Sequence, residues 1–191
     1  GGALVDIGSH VIDLLRHLLG EVESLHCSTR TFVRQRPVSP GSSEMESVQV
    51  DDAAWIQARL GNGAEGSLHV SRFATGAQDD LSLEIYGNLG GLRFNLMDLN
   101  WLYWYDARRP EGATGGERGW TRIETVQRYP GASGLPARAP VGWGRTHAEN
   151  QYAFLRALHL GKQCSPGILD GYINHLVIEA AYASAETGGW V

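Results

Sequence analysis

Only two cysteines, Cys27 and Cys164, occur in 191 residues, too few for a disulfide framework. They fit a reducing compartment, and the expected location is cytoplasmic. Basic residues are also short: 16 Lys and Arg face 21 Asp and Glu, a net charge of −5. That balance argues against a broad nucleic-acid surface. No run approaches the roughly 18 apolar residues of a membrane span, so no membrane partner is expected. The N-terminus lacks the basic and apolar segments of a signal peptide. Internal repeats and low-complexity tracts are absent as well. What remains is a globular composition, 42% hydrophobic and 19% charged.

That length supports one domain with a real core, taken as residues 1–191. The chain opens on Gly1-Gly2-Ala3 and stops at Gly189-Trp190-Val191. It reads as a domain cut from a longer protein.

Apolar Leu4, Val5, Ile7, Val11, Leu14, Leu15, Leu18 and Leu19 recur at the helical period, predicting one helix over 4–19 closed by Gly20. Residues 22–36 suit a long strand with a bulge, and 37–49 a loop carrying Pro37, Pro40 and Gly41. Alternation over 54–60 and 66–70, around Gly61-Asn62-Gly63, predicts a hairpin. Further strands are expected over 81–87, 90–96, 101–105 and 120–126. Residues 128–145 read as irregular, followed by helices over 147–160 and 168–185. The order gives an α+β fold: an open, mostly antiparallel or mixed sheet of about six strands with helices on one face.

Gly61-Asn62-Gly63-Ala64-Glu65-Gly66 matches the phosphate-loop pattern G-x-G-x-x-G. The mechanism needs a helix after the loop, with its N-terminus facing the pyrophosphate. Here a strand follows, and Glu65 would add negative charge. The segment is read as a hairpin turn, and no cofactor-binding residue is assigned to this chain.

The most informative stretch is Asp6-Ile7-Gly8-Ser9-His10-Val11-Ile12-Asp13. At about 100° per residue, His10 lies about 40° from Asp6, Asp13 about −20° and His17 about 20°. An imidazole then sits between carboxylates on one stripe. Carboxylates beside a histidine fix its tautomer and favour its charged form, which suits general acid/base work near neutral pH. The same set at i, i+4 and i+7 can ligate a divalent ion. It is also compatible with an ordinary solvated helix face. The stripe carries no Lys or Glu, the usual fillers of such a face, and Gly1, Gly2 and Gly8 leave the backbone beside it open.

Gly1 to Leu14, with Leu18-Leu19-Gly20 after it, resembles the start of the C-terminal domain of the Gfo/Idh/MocA oxidoreductases, the relatives of glucose–fructose oxidoreductase and inositol dehydrogenase. The family pattern is a glycine pair, then Asp-x-x-x-His-x-x-Asp on a helix. Asp51-Asp52-Ala53-Ala54 before a hairpin, Ile85-Tyr86-Gly87 before Gly90-Gly91, and Ala180 to Gly188 extend the likeness along nearly the whole chain.

The resemblance implies an upstream Rossmann domain, outside this chain, that binds NAD or NADP. It implies oxidation of a sugar or cyclitol hydroxyl with hydride passing to nicotinamide. His10 would be the general acid/base, Asp6 would contact substrate or support His10, and Asp13 would orient the imidazole. A lysine from the Rossmann half completes such sites, so the isolated domain is expected to be inactive. The open sheet face commonly forms a subunit interface, so a homo-oligomer is expected; Trp101, Tyr103 and Tyr105 on one side of their strand suit such a face and suit ordinary core equally well.

Other residues carry less. Trp143 could stack on a polyol and Arg145 could hydrogen-bond it. His147 and Asn150 could face the same substrate, or form a polar helix start capped by Thr146. Two alternatives to the dehydrogenase remain: a metal-dependent hydrolase or isomerase using Asp6, His10 and Asp13, and a non-catalytic assembly domain. No metal is assigned.

Overall fold

The computed structural model describes residues 1–112, 114, 116–127, 129–133 and 139–191. The expected irregular segment 128–145 therefore lies partly outside the described residues. The fold is α+β, and every strand pairing is antiparallel. The chain groups into two compact units, residues 1–75 with 166–191, and residues 76–165.

The first unit begins with a π-helical turn, Leu4–Gly8, that runs into helix α1, Ser9–Leu19. Strand β1, Val22–Arg30, follows and pairs with β4, Ala53–Leu60, which in turn pairs with β5, Glu65–Ser71. Between them β2, Gln35–Pro37, and β3, Met45–Ser47, form a small hairpin. The sequence pattern puts Gln35 and Arg36 at the end of a longer strand and carries no signal for β3. The expected bulge is present in β1, between Val22 and Ser24. The Gly61–Gly66 segment is the turn between β4 and β5. Gly63 has φ +84°, and Asn62 Oδ1 accepts the Ala64 N–H at 3.0 Å.

Alternation in β4 buries Ala54, Ile56, Ala58 and Leu60 on one face. Helix α3, Ile168–Thr187, lies on β1, and α1 packs against α3. Small residues at Ala54, Ala58 and Ala181 let helix and sheet approach. Leu4, Ile12, Leu25, Leu60 and Ile178 fill the space between, each burial worth about 1.5–3 kcal/mol. The opposite sheet face is solvated, with Trp55 stacked on His69 at 5.2 Å. Gly188, at φ +71°, ends α3. Ser184 then accepts the Cys27 N–H at 2.8 Å and donates to Gly189 O at 2.5 Å.

The second unit is a meander of β6, Ser82–Gly87; β7, Gly90–Asn95; β8, Trp101–Asp106; and β9, Trp120–Glu124. Trp101, Tyr103 and Tyr105 share one face, as expected from their spacing. Arg122 lies 3.7 Å from the Trp101 ring centroid, and Arg93 lies 4.1 Å from that of Trp120. Helix α2, Trp143–His159, starts four residues earlier than expected, with Gly142 as its N-cap. Thr146 is not the cap: its hydroxyl donates to Trp143 O at 2.7 Å. Among the described residues strands thus number nine in three sheets, where about six were expected. The short β2–β3 hairpin accounts for part of the difference. No helix is long and apolar enough to cross a membrane among the described residues.

Candidate active site

The first helix is pinned from outside itself. Asp51 is 7% exposed, and its Oδ2 accepts the Leu4 N–H at 2.8 Å. Its backbone carbonyl accepts the Ala3 N–H at 2.9 Å. The Tyr182 hydroxyl donates to Asp51 Oδ1 at 2.7 Å. A carboxylate at a helix start satisfies an orphan N–H and meets the positive end of the helix dipole. Gly2 is required there, because a Cβ would overlap the Asp51 carboxylate.

The π turn changes the geometry expected for Asp6. Its wider hydrogen-bonded ring turns side chains by less than 100° per residue. The helix expected over 4–19 is therefore not uniformly α-helical, and the simple wheel does not hold for Asp6. The Asp6 carboxylate forms an ion pair with Arg72, the first residue after β5. His10 is exposed, and among the described residues its imidazole has no hydrogen-bond or ion-pair partner. Asp13, half-buried, has no hydrogen bond either; Arg16 feels its charge. Asp6, His10 and Asp13 thus follow one another along the π turn and α1, but among the described residues neither carboxylate is hydrogen-bonded to the imidazole.

The junction between π turn and α1 is fixed by α3. Asn174 donates to Ser9 O at 2.9 Å, while its buried Oδ1 has no partner. Further along, Arg16 makes a two-point contact with Glu21, at 2.7 and 2.9 Å, and donates to Asp170 O at 3.0 Å. These bonds hold the helix bearing His10 against α3.

Trp143, Arg145, His147 and Asn150 all lie at the start of α2, in the second unit. Trp143 is 70% exposed and meets the His147 ring edge-on at 4.2 Å. Arg145 is half-buried, and Asn150 is exposed. The neighbouring Glu149 accepts from the Ser133 N–H at 2.8 Å and hydroxyl at 2.6 Å. These donors hold its carboxyl below the usual range, the hydroxyl most.

Two chemical readings can be tested on these residues. No three His, Cys, Asp or Glu side chains among the described residues are grouped to hold a metal ion. The metal-dependent alternative therefore lacks a ligand set in these residues. The G-x-G-x-x-G segment leads into β5 and not into a helix, so it offers no dinucleotide phosphate cradle.

Sequence reading missed Arg72, Tyr182 and Asn174. All three act across long sequence separations. Asp51 stands in the sequence only as part of the Asp51-Asp52-Ala53-Ala54 motif. The one available signal was an Asp-Asp pair opening an apolar strand, where buried charge needs partners.

Residues 1–93 match the family described as GFO/IDH/MocA C-terminal domain. Levoglucosan dehydrogenase from Pseudarthrobacter phenanthrenivorans is 31% identical over 210 aligned positions, covering 100% of this chain and 51% of that protein. A solved structure of levoglucosan dehydrogenase in complex with NADH and L-sorbose superposes with TM-score 0.90 at 32% identity, covering 100% of this chain and 50% of that one. An oxidoreductase domain protein from Kribbella flavida gives TM-score 0.88 at 30% identity, with 100% and 51% covered.

Residues 1–93 thus carry the GFO/IDH/MocA C-terminal domain, and the whole chain is similar in sequence and fold to about half of the Gfo/Idh/MocA oxidoreductases it matches. It spans about half the length of the relatives it matches.

Proposed function

We propose that this chain is the substrate-side half of a nicotinamide-dependent oxidoreductase acting on a sugar or cyclitol hydroxyl. The observation that carries the reading is His10: an exposed imidazole with no hydrogen-bond or ion-pair partner among the described residues, on a helix pinned at its start by a buried carboxylate. A general base needs a free ring nitrogen within reach of the proton it takes. The relative crystallised with NADH and L-sorbose supports the substrate class and the cofactor type.

The dinucleotide, NAD or NADP, is held by a Rossmann half outside these residues, and supplies hydride acceptance or donation. This chain's part is the proton. His10 takes it from the substrate hydroxyl and returns it in the reverse direction. Asp6 and Asp13 set the charge around the imidazole. Trp143 offers an apolar ring for a sugar face, with Arg145, His147 and Asn150 as polar contacts. Residues 1–191 act as one C-terminal domain, inactive without the Rossmann half. The protein is cytoplasmic and assembles as a homo-oligomer through its open sheet face, where Trp101, Tyr103 and Tyr105 stand.

The test is a fluorescence titration with NADH and NADPH on two forms, this chain and the protein at the full length of its relatives. Binding by the longer form alone, with polyol-dependent turnover that His10→Gln removes, is the expected result. No binding by either form would overturn the reading.

A further inference from the structure

We propose that Arg72 is a positioning residue of this site, holding the Asp6 carboxylate so that His10 stays free of it. This rests on the reading of His10 as the acid/base group.

Asp6 lies in the π turn that runs directly into the first turn of α1, which carries His10 four residues on. A carboxylate left beside an imidazole favours the charged form, which cannot accept a proton. In this structure the Asp6 carboxylate is engaged by Arg72 instead. Among the described residues the imidazole has no hydrogen-bond or ion-pair partner. The Arg72 charge also offsets that of Asp6, so His10 faces a nearly neutral pair.

Arg72 is not placed by chance. Its backbone N–H donates to Asp52 O at 2.8 Å. Asp52 is 3% exposed, and its Oδ2 accepts the Phe32 and Val33 N–H groups at 2.8 and 2.9 Å. Arg36 adds a contact to Oδ1 at 3.2 Å. Val33 above all, then Phe32 and Arg36, hold the Asp52 carboxyl below its ordinary range. Two adjacent residues thus set both members of the ion pair. Asp51 fixes the start of the turn that carries Asp6, and Asp52 fixes the backbone of Arg72.

The pair contributes little to folding, since both side chains are about half-exposed. Its effect is felt in the charge at His10. The titratable groups on the elements that pack together here include Asp6, Asp13, Arg16 and His17 on the first helix, Arg72 just after β5, and Asp170, His175 and Glu179 on α3. Arg16 is already committed to Glu21 and Asp170. Arg72 is therefore the cation that answers Asp6.

The experiment is an NMR titration of the His10 imidazole in this chain, with its signal identified by its loss in His10→Gln. Arg72→Ala is expected to raise the midpoint by a few tenths of a pH unit, the size of a partly screened charge effect at a solvated surface. Asp6→Asn is expected to lower it, by leaving the Arg72 charge unanswered. Arg72→Lys should restore most of the wild-type value, and Arg72→Ala with Asp6→Asn should return it close to wild type. Unchanged midpoints in both single variants, with unaltered circular dichroism, would overturn the proposal. The titration needs no turnover. A shift here together with full activity of His10→Gln in the longer protein would sink the catalytic reading of His10 and leave the Arg72–Asp6 coupling intact.

Discussion

The Tyr182 hydroxyl donates to Asp51 Oδ1 at 2.7 Å, joining the last helix to the entry of β4 across 131 residues of sequence. Asp51 passes the link on to Leu4 and Ala3, so the far end of the chain steadies the turn that carries Asp6. Tyr182→Phe removes one donor and leaves a buried carboxylate oxygen short of a partner. The expected cost is about 1–3 kcal/mol, read from the urea midpoint at pH 7. A midpoint equal to wild type would show that water or another donor takes over.

Gly2 sits against the same carboxylate. In Gly2→Ala the new methyl group would overlap the Asp51 carboxylate and its own backbone nitrogen, which cannot swing away as a surface side chain does. Overpacking of this kind costs about 1–3 kcal/mol. Gly20→Ala meets no atoms but must hold φ +100°, so it tests strain without crowding. Thermal melts of the two variants separate the effects. Gly2→Ala should also perturb the backbone amides of residues 3–10, whereas Gly20→Ala should not.

The elements legible in the sequence were those with a local signal. The β4–β5 hairpin followed from Asn62-Gly63 between alternating runs, and α3 from its apolar content and Gly188. The π turn at Leu4–Gly8 was not legible, because the apolar spacing of Leu4, Val5 and Ile7 fits an α-helix equally well. Trp143 as the helix start was hidden by Gly142 and Gly144, which read as loop. Of the site, His10 with its flanking carboxylates was visible as a pattern. Its partners were not, because Arg72, Asn174 and Tyr182 reach it through tertiary contacts that no periodicity encodes.

A buried thiol and a half-buried phenol predict the alkaline limit of stability. Burial, then the charge of Asp51, pushes the Cys27 thiol up to about 11. Burial first, then the hydrogen bond to Asp51, raises the Tyr182 phenol above its ordinary value. Both shifts favour the neutral form in the folded state. Their contribution is complete below the unfolded values, about 8.5 for a thiol and about 10 for a phenol, and is lost as pH rises through the folded values. The urea midpoint should hold steady from pH 7 to 8.5 and then decline. In Cys27→Ala, on a lower baseline, the first part of that decline should vanish. A midpoint constant up to pH 10.5 would contradict the assignment.

Cys27 and Cys164 should also differ as thiols toward a labelling reagent. Cys27 is 1% exposed, whereas Cys164 is partly exposed. Reaction at pH 7.5 should modify Cys164 first and leave Cys27 untouched until urea opens the fold. Mass spectrometry after peptide cleavage reads the order directly. Early labelling of Cys27 would show that the β1–α3 interface opens locally, since Ser184 ties the two together there.

The last prediction separates chemistry from folding at the centre of the site. His10 is exposed and bonds to nothing within the described residues, so His10→Gln removes no contact that the fold uses. Stability should stay within about 0.5 kcal/mol of wild type. In the protein at the length of its relatives, the same change should lower kcat by about 10²–10⁴, the range for loss of a general acid/base group. Asn174→Ala should behave in the opposite way. It releases the Ser9 carbonyl from α3, so it should lower stability by about 1 kcal/mol while the proton-transferring group itself remains. If His10→Gln and Asn174→Ala both acted chiefly on stability, His10 would be a structural residue and the stripe an ordinary helix face.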